Sequence, residues 1–277
     1  MTVHEIIMAA LAEDIGNGDH SSLACINPDI QGEMRLLAKA DGIIAGIDVA
    51  SVVLHCVDPD IIMERFKEDG DEVHKGDVVF AIKGSSQKML TAERTVLNFM
   101  QRMSGIATAA KKYADIVNGT KTTILDTRKT TPNMRVFEKY AVRVGGCQNH
   151  RFGLFDMVML KDNHIDFAGG IEKAIDKTRK YLKNNKLNLK IEIETRNLEE
   201  VKRVMEHGGV DRIMLDNFTP ELIVEALKLI DGKCETEASG NITIDNLRQY
   251  AETGVDFISV GALTHHIASL DLSLKVI

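Results

Sequence analysis

Residues 189–218, LKIEIETRNLEEVKRVMEHGGVDRIMLDNF, decide the fold. LKIEIET and RIMLDNF are short apolar or alternating runs with polar ends, Glu194 closing the first and Asp216 the second. LEEVKRVMEHGG between them is helical in pattern, and its Gly-Gly end follows His207, an imidazole suited to the last helical carbonyls. The same texture extends outward. TTILDTRK (122–129), MVMLKDNH (157–164), CETEAS (234–239) and DFISVGA (256–262) read as strands, and PELIVEALKLI (220–230) and IDNLRQYAETG (244–254) as helices. Strands alternating with amphipathic helices are the mark of βα units and a parallel sheet.

The first hundred residues read differently. Glu5 to Glu13 is helical in pattern, and EDIGNGDHSS (13–22) follows as a tight Gly/Asp turn. MRLLAKA, GIIAGI, IMERFK and DVVFAIKG then look like strands of an antiparallel or mixed sheet. Thr91 to Lys112 is a long helical pattern with Val96, Leu97, Met100 and Met103 on one side, and Gly105 weakens its continuity.

The balance of 34 Lys and Arg against 41 Asp and Glu gives a net charge of −7, which argues against non-specific nucleic-acid binding. A 44% hydrophobic content excludes a disordered chain. Cys25, Cys56, Cys147 and Cys234 are scattered without metal-ligand spacing and read as reduced, mostly buried thiols. The N-terminal stretch has no basic region, no apolar window is long enough for a bilayer, and a cytoplasmic protein is expected.

In a βα barrel the active site lies at the C-terminal strand ends. Those ends carry Asp126, Arg128, Lys129, Lys161, Asp162, Glu194, Asp216, Glu237 and Ser239. A single charge after a strand is ordinarily a solvated loop start, but a whole series points to a ring of charge at one mouth. Arg128, Lys129, His150, Arg151, Lys161 and His164 form a cationic set suited to carboxylates and phosphates. Glu194 and Asp216 form an anionic set, and a bridging Mg²⁺ reconciles them with a phosphate ligand. Glu192 shares a face with Glu194 and is either a second participant or a structural ion pair. The turns at Ser239-Gly240-Asn241 and Val260-Gly261-Ala262 expose backbone N–H groups before helices, where phosphate is favoured.

EDIGNGDHSS, AERTVLNFMQRMSGIAT (92–108), the long DTRKT…NHR…KDNH series within 125–164, IEIET, IMLDNF, EASGNI and SVGALTHH occur in that order over nearly the whole chain. Together they resemble the quinolinate phosphoribosyltransferase family, also called nicotinate-nucleotide pyrophosphorylase (carboxylating). The resemblance implies an α/β protein with an N-terminal α/β sandwich-like domain plus an incomplete, seven-stranded α/β barrel. Residues 1–107 with a returning tail at 264–277 would form the first domain, and 108–263 the barrel. It implies transfer of phosphoribose from 5-phosphoribosyl 1-diphosphate to quinolinate, with Mg²⁺, giving nicotinate mononucleotide, CO₂ and diphosphate. Arg128, His150, Arg151 and Lys161 are implied to line the quinolinate pocket, with Arg94 entering from the other subunit of a homodimer. Lys129, Lys161, Glu194 and Asp216 are implied to face the ribose and the Mg²⁺-diphosphate. Ser239, Gly240, Gly261 and His265 are implied to hold the 5′-phosphate.

Three rivals stand beside this reading, one of them a flavin- or sugar-phosphate-binding barrel enzyme, for which the last two phosphate turns alone would suffice but in which the DTRKT and NHR segments have no role. A paralogue associated with molybdenum transport, or a nicotinate-specific enzyme, shares barrel features, but a monocarboxylate needs fewer cations than Arg94, Arg128, His150, Arg151 and Lys161 together. EDGDEVHKGDVVFAIKG (68–84) resembles the hairpin of biotinyl and lipoyl carriers, yet no acceptor lysine sits in the expected turn.

Overall fold

The computed structural model describes residues 1–277. In chain order it begins with α1 (Val3–Ile15), α2 (His20–Cys25), β1 (Gln31–Ala38), β2 (Gly42–Ile43), α3 (Ile47–Val57), β3 (Ile62–Arg65), β4 (Glu72–Val73), β5 (Val78–Ser85) and α4 (Ser86–Ile116). There follow β6 (Thr123–Leu125), α5 (Arg135–Val144), β7 (Val158–Leu160), α6 (Asp162–Ala168), α7 (Ile171–Asn184), β8 (Ile191–Thr195) and α8 (Leu198–His207). The chain ends with β9 (Arg212–Asp216), α9 (Pro220–Ile230), β10 (Glu235–Ser239), α10 (Leu247–Glu252), β11 (Phe257–Ser259), α11 (Ala262–His265) and β12 (Leu272–Val276). Two compact units result. One comprises Met1–Lys111, Thr130–Gly146 and Ala262–Ile277, and the other Lys112–Lys129 and Cys147–Gly261.

The first unit is built on an antiparallel sheet of order β12-β1-β5-β3. Met34, Leu36 and Ala38 of β1 are buried while Arg35 is exposed, the period-two pattern of a sheet packed on one face. GIIAGI is not one strand. Only Gly42 and Ile43 pair, with β4, and the chain turns at Gly46 (φ +103°) into α3. The Asp69 carboxylate, far along the sequence, takes the Gly46 and Ile47 N–H groups and starts that helix. Helix α4 runs unbroken through Gly105. A Cβ there would be driven into the Ala268 carbonyl, so glycine serves a close backbone approach at that point. Arg102 of α4 donates to Glu138, a fully buried carboxylate on α5 whose other oxygen accepts the Thr131 N–H.

The second unit holds six parallel strands in the order β6-β11-β10-β9-β8-β7. The expected seventh strand is a single parallel bridge, Leu125 with Gln148, on the free side of β6. Between α5 and the bridge lie only the Gly145–Gly146 turn and Cys147, and the ring stays open between this bridge and β7. Of the four cysteines, all unpaired, only Cys147 is buried, which corrects the expectation of mostly buried thiols. No helix is long and apolar enough to cross a membrane.

Candidate active site

Strand alternation sorts the second unit's charges onto one face. In β8 the apolar face is Ile191 and Ile193, in β9 Ile213 and Leu215, all buried. The opposite face of three adjacent strands carries Glu192 and Glu194, Arg212 and Asp216, Glu235, Glu237 and Ser239. The register aligns them in rows: Arg212 lies beside Glu192 and Glu235, and Asp216 beside Ser239 at the C-terminal ends.

At those ends Lys161 Nζ lies 3.1 Å from Glu194 Oε2. Burial, and then the Glu194 charge, raise the Asp216 carboxyl above its ordinary range, so two carboxylates on neighbouring strands oppose each other. Asn217, in the left-handed region at φ +57°, donates Nδ2 to Asp216 at 2.7 Å. Its Oδ1 accepts from Asn241, and its N–H donates to the Ser239 carbonyl. A Cβ at Gly240 (φ +92°) would collide with Asn217 Oδ1, so this glycine is required twice over. Sequence reasoning passes over Asn217; the signal was an Asn directly after a strand-ending Asp, a residue that tolerates positive φ. The helices after these turns offer less than expected. α10 starts only at Leu247 and α11 has four residues, so the turn amides rather than a helix dipole would serve a phosphate.

Arg128 follows β6 and is half-buried, and its Nε is buried without a hydrogen-bond partner. Burial, and then the Arg128 charge, hold the Arg151 guanidinium below its ordinary value. Two half-buried guanidinium groups therefore oppose each other here, an arrangement that an anion would relieve. His150, between Asn149 and Arg151, is buried. Its N–H donates to Asp126 Oδ1 at 2.8 Å, and the Asn149 side chain donates to Asp126 Oδ2. Its Nε2 lies 3.0 Å from Glu192 and 3.3 Å from Glu237, and Arg212 donates to Glu237 at 2.9 Å. Burial opposes charge on His150, but the carboxylates outweigh it and push its pKa up to about 9. Burial and Glu237 push Glu192 up to about 7. Against that shift, the Arg151 N–H lies 2.6 Å from Nδ1, a contact that only the neutral ring with its proton on Nε2 can accept, so this geometry fits a neutral imidazole with the cluster's proton on the carboxylate side.

Two donor sets could hold a cation. Glu194 and Asp216 are all-oxygen, partly exposed and mutually repulsive, which suits an ion that keeps several waters. His150, Glu192 and Glu237 also lie within 4.8 Å of one another, but they are buried and Arg212 already compensates their charge. Mg²⁺ fits the first set better.

Lys129 and His164 are exposed. His164 Nδ1 accepts the Lys161 N–H and so braces the start of α6. Gly261 follows β11 in the same unit. Arg94 and His265 belong to the first unit, and both are exposed. There Arg94, Asp14, Gly18, Asp19 and His20 line a cavity of about 320 Å³. The EDIGNGD segment is therefore more than a turn: Asp19 caps α2 through the Ser22 N–H and accepts the Thr91 hydroxyl, one helical turn before Arg94.

Carboxylates, cations and glycine turns at the ends of parallel βα strands place this chain among α/β proteins of open-barrel type with their charged groups at the strand ends. The description "Quinolinate phosphoribosyl transferase, C-terminal domain" matches residues 106–275, and the corresponding N-terminal domain matches residues 19–104. The chain belongs to the quinolinate phosphoribosyltransferase family. It is 47% identical over 286 residues to the chloroplastic nicotinate-nucleotide pyrophosphorylase [carboxylating] of Arabidopsis thaliana, covering 98% of this chain and 82% of that one. It is 42% identical to the probable nicotinate-nucleotide pyrophosphorylase of Bacillus subtilis, covering 95% and 90%. The crystal structure of NadC from Streptococcus pyogenes superposes with a TM-score of 0.94 at 40% identity, covering 99% and 97%.

Proposed function

We propose that the chain catalyses phosphoribosyl transfer from 5-phosphoribosyl 1-diphosphate to quinolinate with loss of CO₂, giving nicotinate mononucleotide in de novo NAD biosynthesis. The pairing of Arg128 with Arg151 carries this reading: two adjacent, half-buried guanidinium groups, one with an unpartnered Nε, match two adjacent carboxylates on a planar ring. Lys161 completes the pocket, and Arg94 enters it from the partner subunit of a homodimer.

In this reading the turn amides at Ser239, Gly240 and Gly261 hold the 5′-phosphate, and Lys129 and Lys161 face the diphosphate. Glu194 and Asp216 would hold Mg²⁺, which when bound neutralises the diphosphate as it departs. As the C1′–O bond breaks, oxocarbenium character develops on the ribose, and the same two carboxylates stabilise it. The quinolinate nitrogen lone pair forms the new bond to C1′. The C2–carboxylate bond then breaks, CO₂ leaves, and the electron pair stays at C2 beside the pyridinium nitrogen until C2 takes a proton. No protein nucleophile is needed.

Quinolinate, nicotinate and nicotinamide, each supplied with 5-phosphoribosyl 1-diphosphate and Mg²⁺, test the assignment by product analysis. Quinolinate alone should yield nicotinate mononucleotide. Equal turnover of nicotinate would sink the dicarboxylate pocket.

A further inference from the structure

Asp216 closes β9 and Ser239 closes β10 directly beside it, and one side chain joins the two ends. Asn217 donates Nδ2 to Asp216 Oδ2 at 2.7 Å, and its Oδ1 accepts from Asn241 Nδ2 at 3.0 Å. Its backbone N–H donates to the Ser239 carbonyl at 2.7 Å. Asn241 is held from its other side, where its carbonyl accepts from Asn246 Nδ2 at 3.2 Å. Asn217 and Asn241 also both have positive φ, at +57° and +53°, among only five non-glycine residues that do.

Such backbone conformations persist where surrounding contacts over-determine them, and they gather at ligand sites. Stability alone does not account for this pair. Both residues are exposed, where a hydrogen bond exchanged with water contributes little net. What the arrangement fixes is geometry. Asn217 engages one Asp216 oxygen and fills the space that a Cβ at Gly240 would need. We infer that Asn217 is a positioning residue that ties the carboxylate of Asp216 to the turn at residues 239–241, so that the metal end and the phosphate end of 5-phosphoribosyl 1-diphosphate meet one braced frame. The inference rests on the reading that Asp216 serves Mg²⁺ and this turn the 5′-phosphate.

Asn217→Gly tests it, since glycine keeps the positive φ and removes both side-chain hydrogen bonds. The two ends are read separately. Kinetics give the Mg²⁺ concentration for half-maximal rate, and calorimetry gives the affinity for ribose 5-phosphate without metal. Asn241→Gly cuts the Asn217–Asn241 contact from the other side, and it should move both readings in the same direction where Asn217→Gly folds poorly. If Asn217 ties the two ends, Asn217→Gly raises the Mg²⁺ requirement by about 10-fold, the scale of a lost hydrogen bond to a charged group. Ribose 5-phosphate binding weakens by about threefold or more, the scale of a neutral hydrogen bond. The quinolinate KM and the thermal midpoint stay nearly unchanged, a split that a purely structural role would not produce. A wild-type value at either end, or a uniform loss that follows a lowered thermal midpoint, overturns the inference alone. An unchanged Mg²⁺ requirement in Asp216→Asn, or no ribose 5-phosphate binding by the wild-type protein, overturns the underlying reading together with it.

Discussion

The proposed pocket assigns Arg151 to the quinolinate carboxylates, and in that role its geometry matters more than its charge. Arg151→Lys keeps a cation but loses the planar fork that can meet two carboxylate oxygens at once. Losing a desolvated charge contact costs roughly 2–5 kcal/mol, or about 30-fold or more. Steady-state kinetics should therefore show kcat/KM for quinolinate down by at least that factor, and a loss within about threefold would place Arg151 outside the pocket. Asp216 makes a second test. Its carboxyl is raised by burial and by Glu194, a conflict that a divalent cation relieves. Asp216→Asn should raise the Mg²⁺ concentration needed for half-maximal rate, and chelation by EDTA should abolish turnover of the wild-type enzyme. A metal-independent rate would remove the role given to both carboxylates.

At the level of single elements, α4 shows two effects in competition. Replacing Gly105 by Ala raises intrinsic helix propensity by about 1 kcal/mol. The new methyl, however, meets the Ala268 carbonyl and the Ser269 Cα at 3.0 Å, both backbone atoms that cannot rotate away. Overpacking of this kind costs about 1–3 kcal/mol, so the clash outweighs the propensity. Gly105→Ala should lower the denaturant midpoint, and a raised midpoint would show that the Ala268–Ser269 segment yields freely. The helical pattern of α4 was legible because apolar residues recur on one side. Helix α3 was not, because GIIAGI is apolar throughout and the capping carboxylate that ends the strand comes from Asp69, a loop residue with no periodicity to announce it.

Over the whole molecule, the proposal makes the site a property of two chains. Arg94 lies in one compact unit and Lys129 in the other. Arg94→Ala and Lys129→Ala should each be nearly inactive alone. Mixed under conditions of subunit exchange, about half the dimers pair one of each, and one site in such a dimer is intact while the other carries both defects. Roughly a quarter of wild-type activity should return. With exchange confirmed by native mass spectrometry, no recovery would assign Arg94 to its own chain or to no site at all.

The sequence by itself determined the βα texture and the end of each strand that carries charge, because burial of one strand face imposes a period of two that any reader can count. It also marked Glu194 and Asp216 as strand-ending carboxylates, and it carried the motif series that identifies the family. The tertiary structure alone decided how those charges pair. Glu192, Arg212 and Glu237 are neighbours only through strand register, and His150 reaches Glu192 and Glu237 from a loop on the far edge of the sheet order. Sequence spacing holds no distance between such residues, so a buried histidine set between two carboxylates and an exposed pocket cation look alike until the strands are aligned. The same physics separates Gly240 from an ordinary turn glycine: its need arises from the Asn217 side chain, which folding brings against it across two adjacent strand ends.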